Sequence, residues 1–177
     1  RAFSLIGKTY YMKKINIFYL KFNYKEKNFF LKHSKKIFDQ GFFTDHKYVQ
    51  KFELEFKKKY KCKYSLATSS GTSALEIILR SLNVKGKEVL VNSNTFIATG
   101  HAISNAGGKI VPVDLDERYF LMSPKDLKKK INSKTGAVVI VHIGGIITPN
   151  IHEIVKICKK FNVPLVEDAA QAQGSKY

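Results

Sequence analysis

Four short runs dominated by Val, Ile and Leu alternate along the chain with segments whose apolar residues recur at helical spacing. The runs cover residues 88–92, 109–114, 137–142 and 163–166. A continuous apolar run of this length, bounded by turn residues, is typical of a strand buried on both faces. Alternation of such strands with helices predicts an α/β fold, a three-layer α-β-α arrangement around a mostly parallel sheet.

The predicted helices have recognisable starts and ends. Ser123 followed by Pro124 is a typical start, because serine caps the first free N–H groups and proline needs no partner there. Asn150 is predicted to cap the next helix, and Gly41 is predicted to end the first. The other signals predict an extended lead-in at 12–23, helices at 24–40, 48–60, 72–82 and 97–105, and a further short strand at 63–68.

The net charge of the chain bears on whether it binds a polyanion. Its 177 residues carry a formal net charge of +17, and the Lys and Arg excess is densest before Lys63. Such a charge suits a polyanion, but no nucleic-acid-binding motif accompanies it. A lysine-rich composition without a nucleic-acid partner is therefore the simpler interpretation.

The two cysteines and the lengths of the apolar runs bear on the cellular compartment of the protein. Cys62 and Cys158 lie far apart without metal-ligand spacing, so we expect no metal site, a core position for Cys158 and a reducing, cytoplasmic compartment. No apolar run approaches the roughly 18 residues of a membrane span. Residues 1–11 make a poor signal peptide, and we hypothesise that Met12 is the native start and that 1–11 are extraneous.

The segment Ser69–Ser73 joins a predicted strand to a predicted helix and is rich in small hydroxyl residues. Free N–H groups and the helix dipole at such a start attract an anion, and Gly71 lets its backbone come close. A phosphate is the natural ligand. The alternative is ordinary capping, since Ser73 and Glu76 match the spacing of a capping box.

Polar residues and one aromatic residue follow the predicted strands. Phe96 suits stacking on a flat ring, or else belongs to the core. His142 is predicted to be a satisfied structural residue. Asp168 follows the last apolar run, where open α/β sheets bind ligands, unless it only caps a turn. A phosphate site, a stacking aromatic and an anionic carboxylate together suit pyridoxal phosphate, because a carboxylate opposite the pyridine nitrogen keeps it protonated and makes the ring an electron sink.

Four motifs occur in one order: Ser70–Leu75, Asn94–Thr99, Thr135–His142 and Glu167–Gln171. Together they resemble the DegT/DnrJ/StrS family of nucleotide-sugar aminotransferases. The resemblance implies part of the large domain of a fold-type I pyridoxal-phosphate-dependent transferase, usually a homodimer. It also implies amino transfer from an amino acid, glutamate, to a nucleotide-linked keto sugar, in polysaccharide biosynthesis. The implied domains are a lead-in with a helix at 1–40 and a partial cofactor-binding domain at 41–177.

The resemblance also implies roles for single residues. Thr72 and Ser73 would hold the phosphate, and Phe96 would cover the ring. Asp168 would pair with the pyridine nitrogen, and Gln171 would lie near the ring hydroxyl. The implied cofactor-binding residues are Gly71, Thr72, Ser73, Phe96, Asp168 and Gln171.

The sequence departs from the family at two loops, with His46 in place of a glycine and Asn92 in place of a proline. The family's Schiff-base lysine is expected beyond Tyr177, so we expect no catalytic residue within the chain and an N-terminal portion that is inactive alone. A dehydratase of the same family, with histidine at the lysine position, is one alternative. A truncated protein that binds polyanions is the other.

Overall fold

The computed structural model describes residues 2–5, 8–11, 20–44 and 47–176. These residues form two compact units, Arg1–Ser65 and Leu66–Tyr177. The hypothesis about Met12 and the departure at His46 lie outside the described residues.

The first unit contains two paired strands and two helices. Strand β1 (Ala2–Leu5) pairs antiparallel with β2 (Lys8–Tyr11), and helices α1 (Tyr24–Gln40) and α2 (Lys47–Tyr60) follow. Neither helix buries a residue. None of the helices in the described part of the chain combines the length and apolarity needed to cross a bilayer.

Helix α1 has the predicted bounds because both of its ends are capped locally. Asn23 and Glu26 form a capping box, with the Asn23 side chain accepting the Glu26 N–H at 3.0 Å and the Glu26 carboxylate accepting the Asn23 N–H at 2.7 Å. Gly41 ends the helix in the left-handed conformation, with φ of 70°.

The strand predicted at 63–68 is wrong. This segment has no strand assignment in the described residues, and it spans the boundary between the two units. Tyr64 is 77% exposed and Leu66 is 74% exposed, so the segment buries no apolar face of its own. A strand needs a ladder partner and a covered face, and the sequence pattern alone supplied neither.

The second unit alternates strands and helices as predicted. Its elements are α3 (Gly71–Ser81), β3 (Glu88–Asn92), α4 (Ile97–Asn105), β4 (Lys109–Val113), α5 (Pro124–Lys130), β5 (Thr135–Val141), a short 3₁₀ helix (Ile143–Gly145), α6 (Ile151–Lys160) and β6 (Leu165–Asp168). The four strands β3 to β6 form one parallel sheet in the order β4-β3-β5-β6. The predicted α/β class is confirmed.

Strand β5 divides the core into two layers. Val139 belongs to a buried cluster with residues of α3 and α4, and its neighbour Val138 belongs to a second cluster with residues of α5 and α6. Both valines are fully buried, and full burial of such a side chain contributes about 1.5–3 kcal/mol. Cys158 is a core residue of the second cluster, as predicted, and burial raises the pKa of its thiol to about 11.

Strand β6 lies two residues later than the predicted run at 163–166. It begins after Pro164, and its pairing with β5 runs from Leu165 to Asp168. The ladder with β5 therefore sets the strand bounds, and they do not follow the apolar run. Glu167 and Asp168 are the last two strand residues rather than the first loop residues, so their side chains point to opposite faces of the sheet.

The strand order contains a switch point between β3 and β5. The chain passes from β3 to β4 on one side of β3, and β5 then pairs with β3 on its other side. In open α/β sheets ligands bind at such a switch point, beyond the carboxyl ends of the strands.

Candidate functional site

The N-cap of α3 lies three residues before Ser73, where the alternative capping box would begin. Ser70 is the N-cap, and its hydroxyl accepts the N–H of Ser73 at 3.1 Å. The alternative of a capping box between Ser73 and Glu76 is wrong, because Glu76 lies beyond the first three helical positions. The Glu76 carboxylate instead accepts hydrogen bonds from Arg80 at 2.8 Å and from Asn105 at 3.2 Å.

The first turn of α3 has two N–H groups to offer to a ligand. N–H groups that precede the first intrahelical bond lack helical partners. In α3 that bond runs from the Ala74 N–H to the Ser70 carbonyl, and the Ser73 N–H before it is capped by the Ser70 hydroxyl. The N–H groups of the first two helical residues, Gly71 and Thr72, also precede that bond, and both residues line a cleft. A Cβ atom added to Gly71 would meet no atom of the described part of the chain within 4 Å, so its backbone faces open space there. This opening suits an anion.

The cleft has a volume of about 220 Å³ and lies at the carboxyl edge of β3, β5 and β6. Its lining includes most of the predicted cofactor residues: Gly71, Thr72, Phe96, Asp168 and Gln171. Ser73 is not part of the lining. Its hydroxyl lies 3.0 Å from that of Ser70 and 3.3 Å from that of Ser69, within the helix cap. The start of α3 and the end of β6 therefore meet in one cleft.

Phe96 occupies the N-cap position of α4, four residues after the end of β3. Its side chain is 65% exposed and lines the cleft. The alternative of a core phenylalanine is therefore wrong. An exposed aromatic face beside a cleft is available to a planar ligand.

Asp168 is held by one hydrogen bond on each carboxylate oxygen. The Thr99 hydroxyl donates to Oδ2 at 2.9 Å, and the N–H of Ala170 donates to Oδ1 at 3.2 Å. The bond from Ala170 is the turn-capping bond of the alternative interpretation, and Asp168 makes it while lining the cleft. Thr99, at 1% exposed, was missed by sequence reasoning, although it lies in the same motif as Phe96.

Gln171 is fixed against the turn that follows β5. Its side-chain oxygen accepts the N–H of Gly144 at 2.7 Å. Gly145 lies so close that a Cβ atom there would be 2.8 Å from the Gln171 carbonyl oxygen. The Ser175 hydroxyl donates to the Gly145 carbonyl at 2.9 Å. The turn therefore holds the segment after β6 in place.

His142 forms a pair with Glu167. Its Nε2 lies 3.0 Å from Oε2 of Glu167, and the ring is only 2% exposed. This hydrogen bond lowers the pKa of the Glu167 carboxyl below its usual range. The prediction of a satisfied structural histidine holds for one ring nitrogen only, since the buried Nδ1 has no hydrogen-bond partner among the described residues.

Asn92, where the resemblance implies a proline, is buried and hydrogen-bonded. It is 1% exposed, and its side-chain amide donates to the Val141 carbonyl at 3.0 Å and accepts the Val141 N–H at 3.2 Å. A side-chain amide thus continues the pairing of β3 with β5 by one more step and anchors the loop that carries Phe96.

Comparison with known proteins identifies the family. A model of the DegT/DnrJ/EryC1/StrS aminotransferase family matches residues 24–177. The chain belongs to this family. The resemblance seen in the four motifs of the sequence is confirmed, and so is the three-layer architecture.

Individual relatives agree with the family assignment. GDP-perosamine synthase of Escherichia coli O157:H7 is 38% identical over 132 residues, covering 73% of this chain and 36% of that protein. The structure of NtdA of Bacillus subtilis with bound cofactor PMP matches with a TM-score of 0.82 and 29% identity over 86% of this chain and 35% of that chain. A GDP-4-keto-6-deoxymannose-3-dehydratase with a trapped PLP-glutamate geminal diamine matches with a TM-score of 0.75 and 26% identity, over 83% and 40% of the two chains. The chain thus spans little more than a third of these relatives.

Proposed function

We propose that this family member is a pyridoxal-phosphate-dependent aminotransferase that moves an amino group from glutamate to a nucleotide-linked keto sugar. The observation that carries the proposal is the meeting, in one cleft, of the start of helix α3, an exposed aromatic ring and a carboxylate. Each of the three suits a different part of pyridoxal phosphate.

The residues present fit the cofactor. The N–H groups of Gly71 and Thr72 would donate hydrogen bonds to the phosphate, and the open space beside Gly71 would hold it. The Ser73 hydroxyl, engaged in the helix cap, would support that turn or rotate toward the phosphate. Phe96 would cover one face of the ring and exclude water from it. Pyridoxal phosphate, when bound, supplies an electron sink for reaction at the amino-bearing carbon.

Asp168 would hold a proton at the pyridine nitrogen. A carboxylate beside a titrating nitrogen favours the protonated form, because opposite charges attract most strongly where water is excluded. The hydrogen bonds from Thr99 and Ala170 occupy one lone pair on each oxygen, so the carboxylate keeps acceptor capacity toward the cleft. Gln171, fixed by Gly144, would lie near the ring hydroxyl.

The substrate class rests on the relatives. One of them is named as the synthase of a GDP-linked amino sugar, and a second is a transaminase named for a dTDP-linked amino sugar. These names support a nucleotide-linked keto sugar as acceptor. A homodimer is also proposed, by family resemblance, and light scattering of the purified protein measures its mass directly.

The test uses the protein as its gene encodes it. Addition of pyridoxal phosphate is expected to produce an absorbance band distinct from that of the free cofactor. Incubation with glutamate and a keto sugar nucleotide is expected to yield an amino sugar nucleotide, which mass spectrometry detects. Absence of cofactor binding at millimolar pyridoxal phosphate would overturn the proposal.

A second candidate is sugar dehydration with the same cofactor, favoured by the structural match to a dehydratase. The two reactions differ in the fate of nitrogen. Glutamate labelled with ¹⁵N is expected to pass its label to the sugar in an aminotransferase. A product that loses water and retains no label identifies a dehydratase instead.

A further inference from the structure

We propose that Thr99 is a positioning residue that aims the Asp168 carboxylate at the cofactor ring. The inference rests on the proposed function, because it assigns a task to Asp168 that only a bound pyridine ring requires. The resemblance carried by the four motifs implies no role for Thr99.

The geometry fixes the direction of the hydrogen bonds. The Thr95 hydroxyl donates to the Thr99 hydroxyl at 3.0 Å, and the Thr99 hydroxyl donates to Oδ2 of Asp168 at 2.9 Å. A threonine has one hydroxyl proton, and an ionised carboxylate only accepts. Thr99 therefore accepts a hydrogen bond from Thr95 and donates one to Asp168.

Burial limits the hydrogen-bond partners available to the Thr99 hydroxyl. The residue is 1% exposed, so water does not compete for its hydroxyl. Its backbone is fixed as well, because its N–H donates to the Phe96 carbonyl at 3.0 Å in the first turn of α4. The hydroxyl is thus carried by a rigid element, and its position limits the rotation of a carboxylate at the end of β6. The same helix start presents Phe96 to the cleft, so one element orients both the ring-covering residue and the carboxylate.

The chain offers a matched control. Thr148 is also 1% exposed, and its hydroxyl accepts the N–H of Asn150 at 3.2 Å. Thr148 does not belong to the lining of the cleft. Thr99→Val and Thr148→Val therefore make the same chemical change at equal burial, one beside Asp168 and one elsewhere in the same unit.

The experiment measures the dissociation constant of pyridoxal phosphate by absorbance titration of the full protein. Thr99→Val is expected to raise it roughly tenfold, since a hydrogen bond to a charged group is lost and the carboxylate is free to turn away. Thr99→Ser is expected to restore affinity to within about twofold, and Thr148→Val to leave it unchanged.

A double-mutant cycle separates positioning from general destabilisation. In an Asp168→Ala background Thr99→Val is expected to have no further effect on the dissociation constant, because its target is absent. An equal loss in both backgrounds, or an equal loss with Thr148→Val, would overturn the inference while leaving the proposed function intact. Failure of the unsubstituted protein to bind pyridoxal phosphate would overturn both.

Discussion

Asp168 receives a hydrogen bond on each carboxylate oxygen and still lines the cleft. Asp168→Asn keeps the shape but removes the charge that would hold a proton at the pyridine nitrogen. We expect the rate of amino transfer to fall by roughly a hundredfold or more, the size typical of a lost electrostatic contact at a reacting centre. Steady-state kinetics with glutamate and a keto sugar nucleotide measure the rate.

Asp116→Asn serves as the control for this substitution. The Asp116 carboxylate also accepts backbone N–H groups in a turn, at 3.0 Å from Arg118 and 3.2 Å from Tyr119, but it does not line the cleft. Its amide variant is expected to retain the unsubstituted rate. Equal losses in both variants would mean that the charge of Asp168 has no special task.

The pair formed by His142 and Glu167 predicts a pH-dependent contribution to stability. The hydrogen bond from His142 lowers the pKa of Glu167 in the folded protein. A group with a lowered folded pKa stabilises the fold above its unfolded pKa, and that contribution is lost as pH falls through the folded pKa. Because Glu167 is 57% exposed, solvent screening keeps the effect small.

Glu167→Gln is therefore expected to destabilise the protein at pH 7 and to have a smaller effect as pH falls below about 4.3, the ordinary glutamate range. Urea unfolding between pH 7 and pH 3 measures the difference from the unsubstituted protein. Glu117→Gln, at an exposed position, provides the comparison. A difference at Glu167 that stays constant across this range would contradict the assignment.

At the scale of elements, the turn after β5 contains two glycines with the same backbone handedness and different surroundings. Gly144 has φ of 65°, and no atom of the described residues lies within 4 Å of a Cβ added there. Gly145 has φ of 78°, and a Cβ there would lie 2.8 Å from the Gln171 carbonyl oxygen. Gly144→Ala is expected to cost about 1 kcal/mol, the strain of a left-handed alanine. Gly145→Ala is expected to cost about 2–3 kcal/mol, because the close contact adds to that strain.

Urea unfolding compares the two alanine variants, and cofactor titration gives a second measurement. Gly145→Ala displaces the backbone that carries Gln171, so its affinity for pyridoxal phosphate is expected to fall as well. Equal stabilities for the two variants would contradict the close approach of Gly145 to Gln171.

Some elements were predictable from local sequence and others were not. Helix α4 has the predicted bounds, and its end has a local signal, since Gly107 and Gly108 follow its C-cap. Strand β6 is shifted because its bounds depend on the ladder with β5. The contact of Thr99 with Asp168 joins residues 69 positions apart, so it depends on the packing of α4 against the sheet and has no local signal.

At the scale of the whole molecule, the parallel sheet separates two cores that serve different purposes. The layer with α3 and α4 supplies Thr72, Phe96 and Thr99 to the cleft, while the layer with α5 and α6 supplies none of the proposed cofactor residues. Leu79 is fully buried in the first layer, and Leu127 is fully buried in the second. The two leucines allow the layers to be loosened one at a time.

Leu79→Ala and Leu127→Ala are each expected to destabilise the protein by about 2–5 kcal/mol, the cost of a cavity at a buried leucine. The double variant is expected to lose the sum to within about 0.5 kcal/mol, because the side chains belong to separate clusters on opposite faces of the sheet. Cofactor affinity is expected to fall only for Leu79→Ala, since that cavity lies under the helix that would hold the phosphate. Urea unfolding, and titration with pyridoxal phosphate at a temperature where both variants are folded, measure these effects. An equal loss of affinity in Leu127→Ala would mean that the site depends on both layers, because the sheet transmits disorder between its faces.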